Sequence, residues 1–173
     1  MSGVGSRLAA VKALLPVFSQ QASLATSLPA VQKNLTSQDA ALTQALAFGV
    51  CRFYWRLNFY SQQLLKKAFK NKDQDLYLLL LVGLYQLEEG KIAPHAAINT
   101  CVEASKKLKK AWASKLLNAC LRNFQRQLPE LQQQLAQSNN LEAIHNHPYW
   151  LIKKLQVAYP NNWQEVCAAN NQQ

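Results

Sequence analysis

An all-α fold is what the sequence predicts, and three observations predict it. Only five of the 173 residues are glycine, too few for the many tight turns of a β protein. Alanine, leucine, glutamine and lysine dominate, and all four are good helix formers. Apolar residues recur at three- and four-residue steps along most of the chain. With 49% hydrophobic residues, the chain can bury one domain-sized core. The expected architecture is a bundle of six to seven helices followed by a short helical linker.

Taken in order, Arg7 to Phe18 reads as the first helix, with Leu8, Val11, Leu14, Leu15 and Phe18 on its apolar side. Pro16 is expected to end or kink it, because proline removes a backbone donor. Leu24 to Val31 is a short second helix. Thr36 or Ser37 caps a third, and Asp39 suits its first turn. Leu42, Ala45, Leu46, Gly49, Val50 and Phe53 form that helix's apolar face, and Gly49 marks a close helix crossing. Leu57 to Phe69 is the fourth, ending in Lys66, Lys67 and Lys70.

Leu76 to Leu87 is apolar nearly all round, so it is the central helix, and Gly90 is its left-handed cap. At about 12 residues it is too short to span a bilayer. Pro94 suits the first position of a helix running to about Leu108, with Ile98, Cys101, Val102, Ser105 and Leu108 inside. Trp112 to Leu128 is the last long helix, burying Leu116, Leu117, Cys120, Leu121 and Phe124. Pro129 then opens a separate glutamine-rich helix that fades at Ser138 to Asn140. His145 to Pro148 is a linker, and Tyr149 to Tyr159 and Trp163 to Ala169 are short helices. Trp150, Leu151, Leu155, Tyr159 and Trp163 are too many large apolar groups for a free tail, so the tail expects a docking partner.

Charge points to the partner. The net charge is +10, from 19 Lys+Arg against 9 Asp+Glu, a balance that suits nucleic acid. Lys106, Lys107, Lys109 and Lys110 end one helix. Lys115, Asn118, Arg122, Gln125 and Arg126 then follow at helical steps, opposite the buried leucines. No acid interrupts the stretch from Lys106 to Gln127, whereas inert surfaces mix their charges. Such a face suits phosphate and 2′-hydroxyl contacts. A second patch is expected from Arg7 and Lys12 with Arg52 and Arg56, where Tyr54 or Trp55 could stack on unpaired bases.

Catalytic chemistry is missing. No GxGxxG or GxxxxGK[ST] can be built from these glycines. Cys51, Cys101, Cys120 and Cys167 contain no CxxC pair, which reads as reduced thiols in a cytoplasmic protein. Cys51 and Cys120 sit on apolar faces where a thiol stays inert. His145 and His147 lack a third ligand at standard metal spacing, and His95 reads as a packed structural histidine. No signal peptide is expected, since Arg7 and Lys12 interrupt the only candidate.

Three stretches carry a family likeness: Val82-Gly83-Leu84-Tyr85-Gln86-Leu87, then Ile92-Ala93-Pro94-His95-Ala96-Ala97-Ile98 leading to Val102-Glu103, then Leu117-Asn118-Ala119-Cys120-Leu121-Arg122-Asn123-Phe124-Gln125-Arg126. Together they resemble the NusB-like N-terminal domain of the bacterial small-subunit ribosomal RNA methyltransferase B (Sun/Fmu) family. Phe48-Gly49-Val50-Cys51-Arg52 fits its third helix. The Asn-x-x-Leu-Arg-Asn pattern from Asn118 to Asn123 separates it from stand-alone NusB antitermination factors, which usually lack Arg122. One departure is Ala93, where the family more often has proline. His147-Pro148-Tyr149-Trp150-Leu151, Ala158-Tyr159-Pro160, Trp163 and Asn170-Asn171 resemble the link into the catalytic half of that family.

The resemblance implies an RNA-binding, substrate-positioning domain of an S-adenosylmethionine-dependent enzyme that methylates carbon 5 of a cytosine in small-subunit ribosomal RNA. The cofactor and the catalytic cysteines would belong to an absent half, leaving no cofactor, metal or catalytic residue here. Residues 1–6 match nothing and are expected to be disordered or a non-native remnant. Residues 7–140 form the RNA-binding domain, and 141–173 the linker towards its own catalytic domain. The expected RNA contacts are Lys106, Lys107, Lys109, Lys110, Lys115, Asn118, Arg122 and Arg126, with Arg52 and Arg56. The alternative is a NusB-type antitermination or protein-interaction module, working as a homodimer or with a protein partner. No membrane is expected to be involved.

Overall fold

The computed structural model describes residues 3–172. Its helices are α1 (Val4–Phe18), α2 (Leu24–Gln32), α3 (Ser37–Arg52), α4 (Tyr54–Leu64), α5 (Gln74–Glu89), α6 (Pro94–Lys107), α7 (Ser114–Gln137), α8 (Leu141–His145), α9 (Tyr149–Ala158) and α10 (Trp163–Asn170). Short 3-10 turns at Asn71–Asp73 and Ala111–Ala113 lead into α5 and α7. Among the described residues there is no strand. Helices α1 to α7 make the bundle, and α8 to α10 make the tail.

Helix α5 is the axis of the bundle and touches α1, α3, α4, α6 and α7. Leu76, Leu78, Leu79, Leu80, Leu81, Val82 and Leu84 are all fully buried, as an all-round apolar helix requires. Gly90 ends it at φ +67°, a conformation that costs an L side chain about 1–2 kcal/mol. Gly49 is where α3 crosses α5: a Cβ there would lie 2.1 Å from the Tyr85 ring. The expected close crossing is present, with Tyr85 filling the notch.

Thr36 caps α3 by accepting from the Asp39 amide at 3.2 Å, and its hydroxyl donates back to the Asp39 carboxylate at 3.0 Å. On the inner face of α3, Thr43 and Ala47 are buried, whereas Ala45 is exposed. The start of α1 bears on part of the segment expected to be disordered or a non-native remnant, residues 1–6. Met1 and Ser2 lie outside the described residues. Val4 to Ser6 are already helical, and buried Ser6 donates to Asp39 at 2.7 Å.

Two prolines sit inside helices that the sequence predicts to break at them. Pro16 lies within α1 and Pro129 within α7, which runs unbroken for 24 residues. The missing hydrogen bonds would run to the carbonyls of Lys12 and Gln125, both exposed residues, where water can replace the absent donor. On the inner side Phe124, Leu131 and Leu135 keep α7 seated on the core.

Helix α4 starts earlier and stops earlier than the periodicity implies, ending at Leu64 with Leu65 extended at ψ 121°. Leu65 and Phe69 fold back onto the core, so tertiary burial overrides helix propensity and leaves Lys66, Lys67 and Lys70 on an exposed loop. The tail is tied to the bundle. Helix α8 packs on α4, and the Arg56 amide donates to Asn146 Oδ1 at 3.2 Å. His145 to Pro148 is therefore the end of α8 plus a pinned turn rather than a free linker.

Candidate nucleic-acid interface

Helix α7 presents the charged stripe. It turns Leu117, Cys120, Leu121 and Phe124 inward and leaves Lys115, Arg122 and Arg126 exposed, with Asn118 half-buried beside them. Leu116, expected inside, is 39% exposed. Arg122 Nε donates to Asn118 Oδ1 at 3.2 Å, and Arg126 Nη2 donates to Asn123 Oδ1. Each guanidinium is thus held by one amide one turn back, and the rest of its donor fork stays open. Neither arginine forms an ion pair among the described residues.

The α6 end meets α7 at the Ala111–Ala113 turn, where the Ser105 and Ser114 hydroxyls lie 2.9 Å apart. Lys106, Lys107 and Lys109 are exposed around this corner. Lys106 pairs with Glu103 at 2.6 Å, an exposed contact worth little and easily exchanged for a phosphate.

Lys110 departs from expectation. It is largely buried, 3.1 Å from Asp73 and 2.6 Å from Asp75, and it donates to the Lys72 carbonyl. Burial pulls its pKa down, and the Asp75 and Asp73 hydrogen bonds outweigh that, so the net shift is upward. It is a clamp between the Asn71–Asp73 turn and the α6–α7 corner. The acids missing between Lys106 and Gln127 come from an earlier segment that sequence spacing does not connect.

The expected second patch does not assemble. Arg7 is 3% exposed, donating to the Gly3 carbonyl at 2.8 Å and to Gln86 Oε1. Arg56 is 3.1 Å from partly buried Glu88 and stacks 4.7 Å from the Phe53 ring centroid. Phe53 stacks on Tyr85, and Tyr54 sits edge-on to Phe18. Of the three arginines, Arg52 alone has a guanidinium without a partner among the described residues; it lines a small hollow with Phe48, Asn146 and Asn171. Arg56 and Arg7 hold the fold.

The structure also brings in residues that spacing along the chain does not single out. Lys67, Lys70 and Lys72 share a hollow with Trp112 and Leu116, so the α4–α5 loop joins the α7 stripe next to Lys115. Trp112 is 62% exposed. The available signal is a lysine run followed, some forty residues on, by an apolar pair on a polar face.

The four cysteines are free thiols; burial pushes Cys51 up to about 11 and Cys101 to about 12, so both stay protonated at neutral pH. His95 is exposed on the first turn of α6 rather than packed. His147 Nδ1 lies 2.6 Å from the His145 carbonyl. Among the described residues no cluster of three His, Cys, Asp or Glu could hold a metal, and no helix is long and apolar enough to cross a membrane.

Comparison with known proteins agrees with this architecture. Residues 5–126 match the NusB family, and residues 147–173 match the ferredoxin-like domain of RsmF/B-like methyltransferases. The chain is similar to ribosomal RNA small subunit methyltransferase B of Pseudomonas putida, at 47% identity over 95% of this chain and 37% of that protein. The corresponding figures are 48%, 95% and 36% for Pseudomonas syringae pv. tomato. For Yersinia enterocolitica they are 40%, 96% and 38%. The chain thus spans little more than a third of the length of these relatives.

Proposed function

The chain belongs to the NusB family, and from that premise we propose that it is the RNA-binding, substrate-positioning domain of an S-adenosylmethionine-dependent methyltransferase acting on cytosine carbon 5 of small-subunit ribosomal RNA. The observation that carries this reading is the α7 stripe, in which Lys115, Arg122 and Arg126 are exposed and free of ion pairs among the described residues. Arginine forks held by a neighbouring amide suit phosphate and 2′-hydroxyl contacts across an RNA minor groove. The names of the relatives support the ribosomal RNA substrate.

Methyl transfer belongs, in this reading, to the remaining length of the relatives. The methyl donor is assigned to that remaining length too, a reading supported by the glycines here: Gly3 and Gly5 lie at the start of α1, Gly49 and Gly83 at helix crossings, and Gly90 is a cap, none of them in a nucleotide-cradling loop. The partner for the tail is the rest of the same protein. Tyr149, Trp150, Val157 and Tyr159 are 49–84% exposed on α9 and just beyond it, within the segment that matches a ferredoxin-like domain. The compartment proposed is the cytoplasm, where ribosomal RNA is found and thiols remain reduced.

The test is binding of a small-subunit ribosomal RNA helix across a salt series. Arg122→Glu with Arg126→Glu should weaken binding at least about tenfold and reduce the salt slope by about two, one for each phosphate no longer gripped. Unchanged affinity and slope would remove this face from the account.

A further inference from the structure

The loop between α4 and α5 separates two hollows, one lined by none of the α7 stripe's own residues, the other adjoining the stripe at Leu116. On one side is a cleft of about 410 Å³ between α4, the loop and the start of α5, a volume in the ~300–1,000 Å³ range of small-ligand sites. Its walls include Tyr54, Tyr77 and Phe69, and its polar lining includes Asn58, Gln62 and Gln74. Tyr77 donates to Asn58 Oδ1 at 2.6 Å, which fixes the amide and leaves its NH2 side open. The Gln62 and Gln74 carboxamides make no hydrogen bond among the described residues. Lys66, Lys67 and Lys70 form the rim. Across the loop, Lys67 and Lys70 also border the second hollow, whose far wall is exposed Trp112.

These parts match the chemistry of an unpaired nucleotide. Carboxamides present a donor and an acceptor side by side, the arrangement that reads the edge of adenine. Aromatic walls accept a base face, and lysines along the rim suit the flanking phosphates. Lys66, Lys67, Lys70 and Lys72 have no acidic side-chain partner among the described residues, because Asp73 and Asp75 are both engaged by Lys110. A duplex cannot place a base in such a cleft without unstacking it.

We propose that the α4–α5 loop is a single-stranded RNA site, with one unstacked base in the Asn58–Gln62–Gln74 cleft, its phosphates on Lys66, Lys67 and Lys70, and the neighbouring base on Trp112. The choice of RNA as ligand rests on the function proposed above, but none of the residues is shared with the α7 stripe.

The experiment is fluorescence anisotropy of this chain with a short oligoadenylate carrying one fluorescent adenine analogue, against a blunt RNA duplex of equal strand length. The single strand should bind at least about tenfold tighter than the duplex, with a change in analogue emission. Trp112→Ala should weaken it about five- to a hundredfold, the cost of one stacked base. Lys67→Glu with Lys70→Glu should weaken it and lower the salt slope by about two. Gln62→Ala with Gln74→Ala, which breaks no hydrogen bond of the fold, should weaken it with the salt slope unchanged and the emission change reduced. Equal affinity for duplex, displacement by inorganic polyphosphate as effective as by unlabelled oligoadenylate, or loop and cleft variants indistinguishable from wild type would each overturn the site. Running Arg122→Glu with Arg126→Glu alongside separates the two readings. Loss of the ribosomal helix but not of the single strand in that variant supports both sites. Retention of the helix with loss of the single strand only in the loop variants rejects the α7 face and keeps the cleft.

Discussion

At Gly49 the whole α3–α5 crossing depends on one missing methyl group. Gly49→Ala would push Tyr85 off its seat, and overpacking of this kind costs about 1–3 kcal/mol, reduced by the better helix propensity of alanine. At Gly83 the nearest atom, 2.6 Å from a built Cβ, is the mobile end of Leu121, so Gly83→Ala should cost less. Urea midpoints rank the two, and a Gly49→Ala protein as stable as wild type would contradict the packing. The glycine is legible in the sequence because it interrupts an apolar helix face; its partner, Tyr85, is not, because periodicity gives a face and no neighbour.

The Ser6–Asp39 contact makes a pH prediction. The hydrogen bond from Ser6, then that from Thr36, holds the Asp39 carboxyl below its ordinary 3.8. A carboxylate depressed in the fold contributes stability above the unfolded value and loses it as pH falls through the folded one. Melting temperature should therefore drop more steeply below about pH 4 in wild type than in Ser6→Ala. Equal slopes would mean the contact is unimportant in solution. Lys110→Met should be harsher, costing about 1–3 kcal/mol by leaving Asp73 and Asp75 facing each other without a cation. Nothing in the local sequence marks Lys110 off from Lys109; only the fold brings the 73–75 segment beneath it.

Among the helices, α5, α6, the cap of α3 and the left-handed end at Gly90 are all readable from periodicity and capping chemistry. Breaks and ends are not. Proline chemistry predicts a stop or kink at Pro16 and a break at Pro129, yet both helices continue, each leaving the unpaired carbonyl on an exposed residue. Because α7 is continuous through Pro129, Pro129→Ala should stabilise the protein by about 1–3 kcal/mol in thermal unfolding, since proline is costly in a helix interior. Destabilisation would mean that the ring itself sets the direction of the Leu131–Leu135 half. The end of α4 could not be read from its sequence, because Leu65 and Phe69 leave the helix to reach a core built by other segments. That early stop turns three lysines expected on a helix end into the rim of a cleft.

Taken whole, the molecule divides its cations by role. Arg7, Arg56 and Lys110 are engaged in holding helices together, while Lys107, Lys109, Lys115, Arg122 and Arg126 stand in solvent without acidic partners among the described residues. Sequence alone locates the α6–α7 concentration of charge, since helical steps and the missing acids are local facts. It cannot sort working cations from structural ones, which depends on acids distant in the chain. The tail separates in the same way: Lys153 and Lys154 lie over the Tyr149 and Trp150 rings at 5.3 and 5.5 Å, beside the proposed docking residues and outside the set proposed to hold RNA. The most direct test is lysine acetylation footprinting, read by mass spectrometry, with and without a small-subunit ribosomal RNA helix. The account predicts that Lys107, Lys109 and Lys115 react freely alone and are protected by RNA. Lys110 should react slowly in both states, and Lys153 and Lys154 should be indifferent to RNA. Protection centred on Lys153 and Lys154, or none at Lys107, Lys109 and Lys115 under saturating RNA, would contradict it.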